Sequence, residues 1–328
     1  MRLRTFSIAI ALLCCIPVTG MSQVLRLGEL SVRDLDSIDR ANTVVIMPGG
    51  ILEEHGPYLP SFNDGYLNTW LADRTAEAII ANRGGTVLMF PAIPLGAGVP
   101  GDFAGLAPLS GSYTVRPETL RAVYMDLASA LGNDGFRTIF VISRHGAPHH
   151  NSALLEAAEY FNDTYDGVMV ILTSLIYEGT AEEPEVLTSD EKTEHGLIMH
   201  AGAEETSQAL FLTPQLVAND YVDAQSFAAA ETSNLTEIAK SPDWLGYFGS
   251  PRLASPTDGA ALVHHKTAQI TELALRILDG FDWTTLSTRA DRGLDVPAFI
   301  ELRNNTEARA LRGRQSQEEW LLSRDREQ

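Results

Sequence analysis

Four stretches of the chain are apolar almost without interruption: "TVVIMP" (43–48), "GTVLMFPAIP" (85–94), "RTIFVISR" (137–144) and "GVMVILTSL" (167–175). Continuous runs rich in Val, Ile and Phe suit strands covered on both faces, the situation in a parallel sheet. Between them lie longer segments whose apolar residues recur at helical spacing: "YLNTWLADRTAEAIIAN" (66–82), "PETLRAVYMDLASALGNDG" (117–135) and "NSALLEAAEYFND" (151–163). Pro117 occupies a favoured first helical position, and Gly135 is placed to stop the same helix. A later run, "SPTDGAALVHHKTAQITELALRILDGF" (255–281), reads as a helix packed on the sheet. Strand–helix alternation predicts βαβ units and a three-layer α/β/α sandwich around a mostly parallel sheet.

Two regions break the alternation. Residues 95–113, "LGAGVPGDFAGLAPLSGSY", are rich in Gly and Pro and read as a long irregular excursion, a feature that is often functional. Residues 177–199 read as a second loop, acidic at its start. Beyond residue 285 the chain becomes rich in Arg and Glu, as expected of a peripheral helix or a partly disordered tail. At the other end, Arg2 and Arg4 precede an apolar run from Phe6 to Val18 and then small residues, the layout of a secretory leader over residues 1–22. The expected organisation is therefore a leader (1–22), one folded domain (23–284) and a charged C-terminal segment (285–328).

Composition narrows the function without naming it. The chain is 45% hydrophobic and 20% charged, as in ordinary globular proteins, and its formal charge is −19. Such acidity argues against nucleic acid or an anionic membrane surface as a partner, since both require a basic patch. The two cysteines, Cys14 and Cys15, lie in the leader. A processed chain would have no disulfide and no thiolate chemistry. No later stretch has the length of a membrane span, so the expectation is an exported protein, periplasmic or extracellular, with no membrane attachment once the leader is removed.

Candidate chemistry gathers at three places. "GGILEEHGPYLPSFNDGY" (49–66) follows the first apolar run and holds Glu53, Glu54, His55 and Asp64. In extended chain, Glu53 and His55 face one way while Glu54 faces the other. Carboxylate and imidazole ligands together suit Zn²⁺, Mn²⁺ or Fe²⁺, although a solvated loop would also read this way. "SRHGAPHHN" (143–151) places His145, His149 and His150 after a strand, at the sheet edge where α/β proteins build their sites. "HAGAEETSQALFL" (200–212) sets His200 five residues before Glu205, where acidic residues could equally cap a helix.

Taken together, these segments resemble the creatininase (creatinine amidohydrolase) family. The likeness rests on "P-G-x-x-x-E-x-H-G-P-x-L-P-x-x-x-D", on a strand followed by "H-G", and on "H-A-G-x-x-E-T-S". "GSYTVRPETL" and "GFRTIFVISRHG" extend it across residues 27 to 282. The resemblance implies an α/β/α sandwich with a metal site at the strand C-termini, often assembled as a homo-oligomer up to a hexamer. It implies one or two divalent ions per chain, Zn or Mn, with Fe as an alternative. Glu53, Asp64 and His145 match the ligands of one ion. His55 and Asp64 match ligands of a second, with Asp64 bridging. His200 and Glu205 match the pair beside the reacting carbonyl, Glu205 moving the proton and His200 donating to the oxyanion.

The second motif departs from the family pattern. Ser143 and Arg144 replace Asn-Gly, Ala147 stands where creatininase proper has a Glu ligand, and extra residues precede Asn151. A second ion would then depend on His149, His150 or Glu205, or be weak or absent. Arg144 is placed either to bind a substrate carboxylate or to pair with a site acid. Glu194 and His195 are candidates for the mouth of the site, while His264 and His265 read as surface or core. The expected activity is metal-dependent hydrolysis of a C–N bond in a small cyclic or linear amide. A lactonase, a deformylase and a non-catalytic exported metal- or ligand-binding protein are the alternatives.

Overall fold

Five strands form one sheet: β1 (Gln23–Arg26), β2 (Thr43–Pro48), β3 (Thr86–Met89), β4 (Thr138–Ile142) and β5 (Val168–Ile171). Their order is β1-β3-β2-β4-β5 and every pairing is parallel. The computed structural model describes residues 22–291 and 294–325, so the expected leader lies, apart from Ser22, outside the described residues. Each apolar run contains a strand; β2 fills its run, and the other three strands are shorter than theirs. β3 stops at Met89, before Pro91 and Pro94 would remove ladder donors. β5 gives way to a 3-10 turn at Leu172–Ser174. The edge strand β1, "QVLR", has too few apolar residues to stand out in the sequence.

The described helices, in order, are α1 (Val32–Asp36), α2 (Asn63–Arg83), α3 (Pro117–Asp134), α4 (Pro148–Thr164), α5 (Ser189–His195), α6 (Ala203–Leu212), α7 (Ser233–Lys240), α8 (Pro256–Leu278) and α9 (Pro297–Asp325). The strand alternation assigns them to layers. Val44 and Ile46 point to the face covered by Leu71 and Ala76 of α2 and Leu273 of α8. Val45 and Met47 point to the opposite face, against Leu120 and Tyr124 of α3 and Leu154 of α4. The expected three-layer sandwich is thus present. Burial of each such Leu or Phe side chain contributes about 1.5–3 kcal/mol.

This topology creates a crevice. From β2 the chain passes through α2, on one face, to β3; from β4 it passes through α4, on the other face, to β5. The two connections diverge, leaving a gap beyond the C-terminal ends of β2 and β4, the position at which open parallel sheets bind ligands. Pro48 pairs with Ile142 at those ends, and the Gly49 N–H donates to the Ile142 carbonyl at 2.8 Å.

The long excursion is irregular apart from a 3-10 turn at Pro100–Ala104. α9 packs on that turn. Ala298, Leu302 and Thr306 are buried, and the Thr306 hydroxyl donates to Asp102 Oδ2 at 2.7 Å, next to an Arg309–Asp102 ion pair. The far end of α9 is solvated, with Trp320 62% exposed. Among the described residues, no helix is long and apolar enough to cross a membrane.

Candidate metal centre

β2 and β4 deliver the first two clusters to one crevice because their ends approach closely. A Cβ on Gly49 would lie 2.5 Å from Ser143 Oγ, so only glycine fits there. Asn68, one helical turn after Asp64, ties the two ends together. Its amide nitrogen donates to the Gly49 carbonyl at 3.1 Å, and its oxygen accepts from the Arg144 N–H at 2.8 Å. Asn151 does the same for the turn carrying His145, donating to the carbonyls of His145 (2.8 Å) and Ala147 (3.0 Å). Asn68 did not stand out in the sequence, and Asn151 did so only as a position of the second motif. The available signal was a polar side chain on the buried face of an amphipathic helix.

Glu53, His55, Asp64 and His145 converge there, all buried. His145 Nδ1 lies 3.2 Å from Glu53 Oε2 and 3.4 Å from Asp64 Oδ2, while His55 Nε2 lies 3.4 Å from Asp64 Oδ1. Ligands on a tetrahedral ion with bonds of about 2.1 Å stand about 3.4 Å apart. Asp64 therefore turns one oxygen to each histidine, as a bridging carboxylate would. Glu54 faces away from this group, its carboxylate accepting from the Gly56 N–H at 3.1 Å, and burial pushes it up to about 8.

The donor set fits a cation. Both Glu53 oxygens and His55 Nε2 are buried without a hydrogen-bond partner. The His145 ring nitrogen is near Glu53 but not aligned to donate. Left without partners, such groups cost free energy that a metal ion removes. The His55 Nδ1–H donates to the Glu53 carbonyl at 3.0 Å, which frees Nε2 as a ligand and fixes the ring, the usual arrangement for a metal-binding histidine. Burial alone would lower the pKa of His55, yet Asp64, Glu205 and Glu53 push it up to about 10. Burial likewise opposes ionisation of Asp64, but His145 and His55 hold its pKa well below the usual range. The cluster attracts positive charge.

The third motif arrives from α6. His200 Nε2 lies 2.7 Å from the Glu54 carbonyl, and because a carbonyl only accepts, that nitrogen carries the proton. Burial pushes the His200 pKa down, so the neutral ring presents Nδ1 as a lone pair. In this state it has no N–H left for an oxyanion, which departs from the donor role expected of it. Instead, Glu53, His55 and His200 form a second group with ligand spacing, beside Glu53, Asp64 and His145. Ala201 holds a positive φ of 51°, unusual for a residue with a Cβ, between His200 and α6. Glu205 Oε2 accepts from the Ala201 N–H at 2.7 Å and stands 3.8 Å from His55 Nε2. Glu205 thus fastens the turn between His200 and α6 and also stands at the site.

His149 and His150 do not join either group. The helix after the second motif begins at Pro148, so both residues sit in its first turn rather than in an inserted loop. His149 turns to α9, 3.3 Å from Glu307. His150 Nδ1 accepts from the Ala97 N–H at 3.4 Å, and its Nε2 then donates to Ser143 Oγ at 3.0 Å. Ala147 is buried, close against Gly98. We therefore expect His149→Ala and His150→Gln each to keep the parent's metal content by elemental analysis. A loss in either would restore it to the ligand set.

His150 has a different consequence. Burial, and then His145, hold its pKa well below the ordinary value of 6.5. Below pH 6.5 the unfolded chain takes up this proton and the folded chain does not, so stability falls as pH drops. His150→Gln should therefore lose less stability than the parent between pH 6.5 and pH 5. Denaturant titrations at both pH values test this; identical acid losses in parent and variant would refute it.

A cavity of about 590 Å³ opens over the cluster, lined by Glu53, Asp64, His145, His200 and Glu205 among others. His195 lines it as expected, accepting from the Ser250 N–H at 3.0 Å, while Glu194 pairs with Arg252 at 2.6 Å. His265 reaches the lining and His264 packs on Phe211. The sequence reading passed over Lys266. It lies on the buried stripe of α8 with Leu262, Val263 and Leu273, and a lysine at an apolar stripe position was the available signal.

An α/β/α sandwich with a buried carboxylate–imidazole cluster at a topological switch point defines a metal-dependent hydrolase class. The family model described as creatinine amidohydrolase matches residues 28–274, and the chain belongs to this creatininase family of metal-dependent amidohydrolases, which act on C–N bonds. No curated protein matches the chain. Among solved structures it is similar to a creatinine amidohydrolase (creatininase), at 20% identity and TM-score 0.60, covering 77% of this chain and 97% of that one. It is also similar to a creatininase with Mn (20% identity, TM-score 0.58, 78% and 99% covered) and to a mutant creatininase of Zn–Zn type (20%, 0.57, 78% and 99%).

Proposed function

We propose that this protein hydrolyses the C–N bond of a small cyclic or linear amide other than creatinine, and that it does so outside the cytoplasm. The observation that carries the proposal is the buried group Glu53, Asp64 and His145, in which both Glu53 oxygens and His145 Nε2 lack a hydrogen-bond partner, with Glu205 nearby. Glu53, Asp64 and His145 would hold one divalent ion; His55 and His200, with the Glu53 and Asp64 carboxylates, would hold a second. Such ions, when bound, lower the pKa of water and polarise an amide oxygen. Glu205 takes the proton of the attacking water and delivers it to the leaving nitrogen. Asn68 and Asn151 keep the two ligand-bearing loops in register. Zn or Mn is the proposed metal, in keeping with the Mn and Zn–Zn creatininases that share the fold.

The exclusion of creatinine rests on the second motif, where Ala147 replaces the Glu ligand that creatininase proper carries. Export rests on Arg2, Arg4 and the apolar run that follows them. Homo-oligomerisation, up to a hexamer, belongs to the same proposal and is supported by the exposed Trp320, Leu321 and Leu322. Glu205 favours catalysis over mere metal storage, because a storage site needs no proton carrier. The test is a screen of Zn- and Mn-loaded protein against lactams, cyclic ureides, N-formyl and N-acyl amines and lactones. Turnover of amides ahead of lactones supports the reading. Preference for lactones, or for creatinine, would overturn it.

A further inference from the structure

Beyond the metal edge, the cavity lining carries two cations with no carboxylate in contact. Lys266 is only 8% exposed and, among the described residues, has no hydrogen-bond or ion-pair partner. Arg144 spends its backbone N–H on Asn68, and its guanidinium makes no ion pair among those residues. Both side chains line the main cavity and the narrow recess beside it, together with Gln269 and Tyr177. Burying a cation without an opposite charge is costly, and placing two side by side adds their repulsion. Burial and the Arg144 charge together push Lys266 down to about 8. Glu183, Glu204 and Glu205 attract the pair across the cavity, yet none approaches within ion-pair distance, and Glu205 is already engaged at Ala201.

We propose that the substrate is an amide that also bears a carboxylate, gripped by Arg144 and Lys266 while its amide lies at the Glu53–Asp64–His145 edge; this deepens the amidohydrolase reading and rests on it. The planar guanidinium fork suits a carboxylate, and the ammonium adds a second donor and charge. Glu183, Glu204 and Glu205 around the same cavity disfavour a doubly charged phosphate, so a single negative charge is the better match. Carboxylated lactams and N-acyl amino acids have this chemistry.

The experiment compares matched pairs on the metal-loaded protein: 5-oxoproline, N-formyl amino acids and N-acetyl amino acids, each beside its primary carboxamide. The expected kcat/KM favours the acid by about 10-fold or more, the worth of a charge-assisted contact. In Arg144→Gln and in Lys266→Met that ratio should fall to within about 3-fold of unity, carried by KM. Melting curves confirm that both variants are folded. Carboxamides turned over as well as acids, or a ratio that survives either substitution, would overturn the proposal. Calorimetry with succinate and succinamide separates this proposal from the reading beneath it. If no amide is hydrolysed, succinate binding that weakens by about 10-fold or more in both variants keeps the anion site and removes the amidohydrolase. Equal binding of succinate and succinamide removes the anion site.

Discussion

Asp64→Ala is expected to empty the site of metal and to lower amide turnover by more than about 100-fold. That bound follows because loss of a mere supporting partner of a ligand already costs 10- to 100-fold. Asp64 is the carboxylate that turns one oxygen to His55 and the other to His145, each at 3.4 Å. Without it the Glu53–Asp64–His145 group loses a ligand, and the His55 and His145 rings are left with less negative charge between them. Asp64→Asn keeps the volume and separates coordination from packing: it should fold like the parent and still lose metal. Elemental analysis after loading and desalting reads both variants. Parental metal content in either would show that the ion is held elsewhere.

Glu205→Gln is expected to behave in the opposite way. Its amide oxygen can still accept from the Ala201 N–H, so the turn between His200 and α6 stays fastened and the metal content should stay at the parent's level. It cannot take a proton from water, and kcat should fall by about 10²- to 10⁴-fold, the usual range for a positioned acid–base group. Glu205→Ala would lose that hydrogen bond as well, at about 1 kcal/mol of stability. A rate in Glu205→Gln within about 10-fold of the parent would reduce the residue to a support for that turn.

The layers of this fold were legible because its strands are buried on both faces. A run such as "TVVIMP" has no polar register to hide in, and the structure assigns its alternate residues to opposite cores. The first ligand cluster was legible for a related reason: Glu53 and His55, two apart in extended chain, must face one way. What failed was local geometry that composition does not reveal. Pro148 starts α4 earlier than the periodicity suggested, and one helical turn carries His149 and His150 away from the ligands. Helix α5 hid in an acidic loop, although Thr188 and Glu191 form a capping box that announces it. The tautomer of His200 depends on a carbonyl contributed by Glu54, 146 residues away, and no motif encodes such a contact. Lys266 was overlooked for the same reason, since its significance lies in who fails to meet it.

The family match ends at residue 274, yet Arg289, Phe299 and Leu302 line the cavity from beyond that point. The wall of the cavity thus draws both on the matched segment and on residues beyond it, α9 among them. Such a division lets evolution retune selectivity cheaply. Replacing one appended helix reshapes what enters the cavity while every ligand stays in place. Two relatives with the same metal chemistry and different C-terminal segments should therefore differ in substrate, and transplanting residues 285–325 between them should carry part of the preference along.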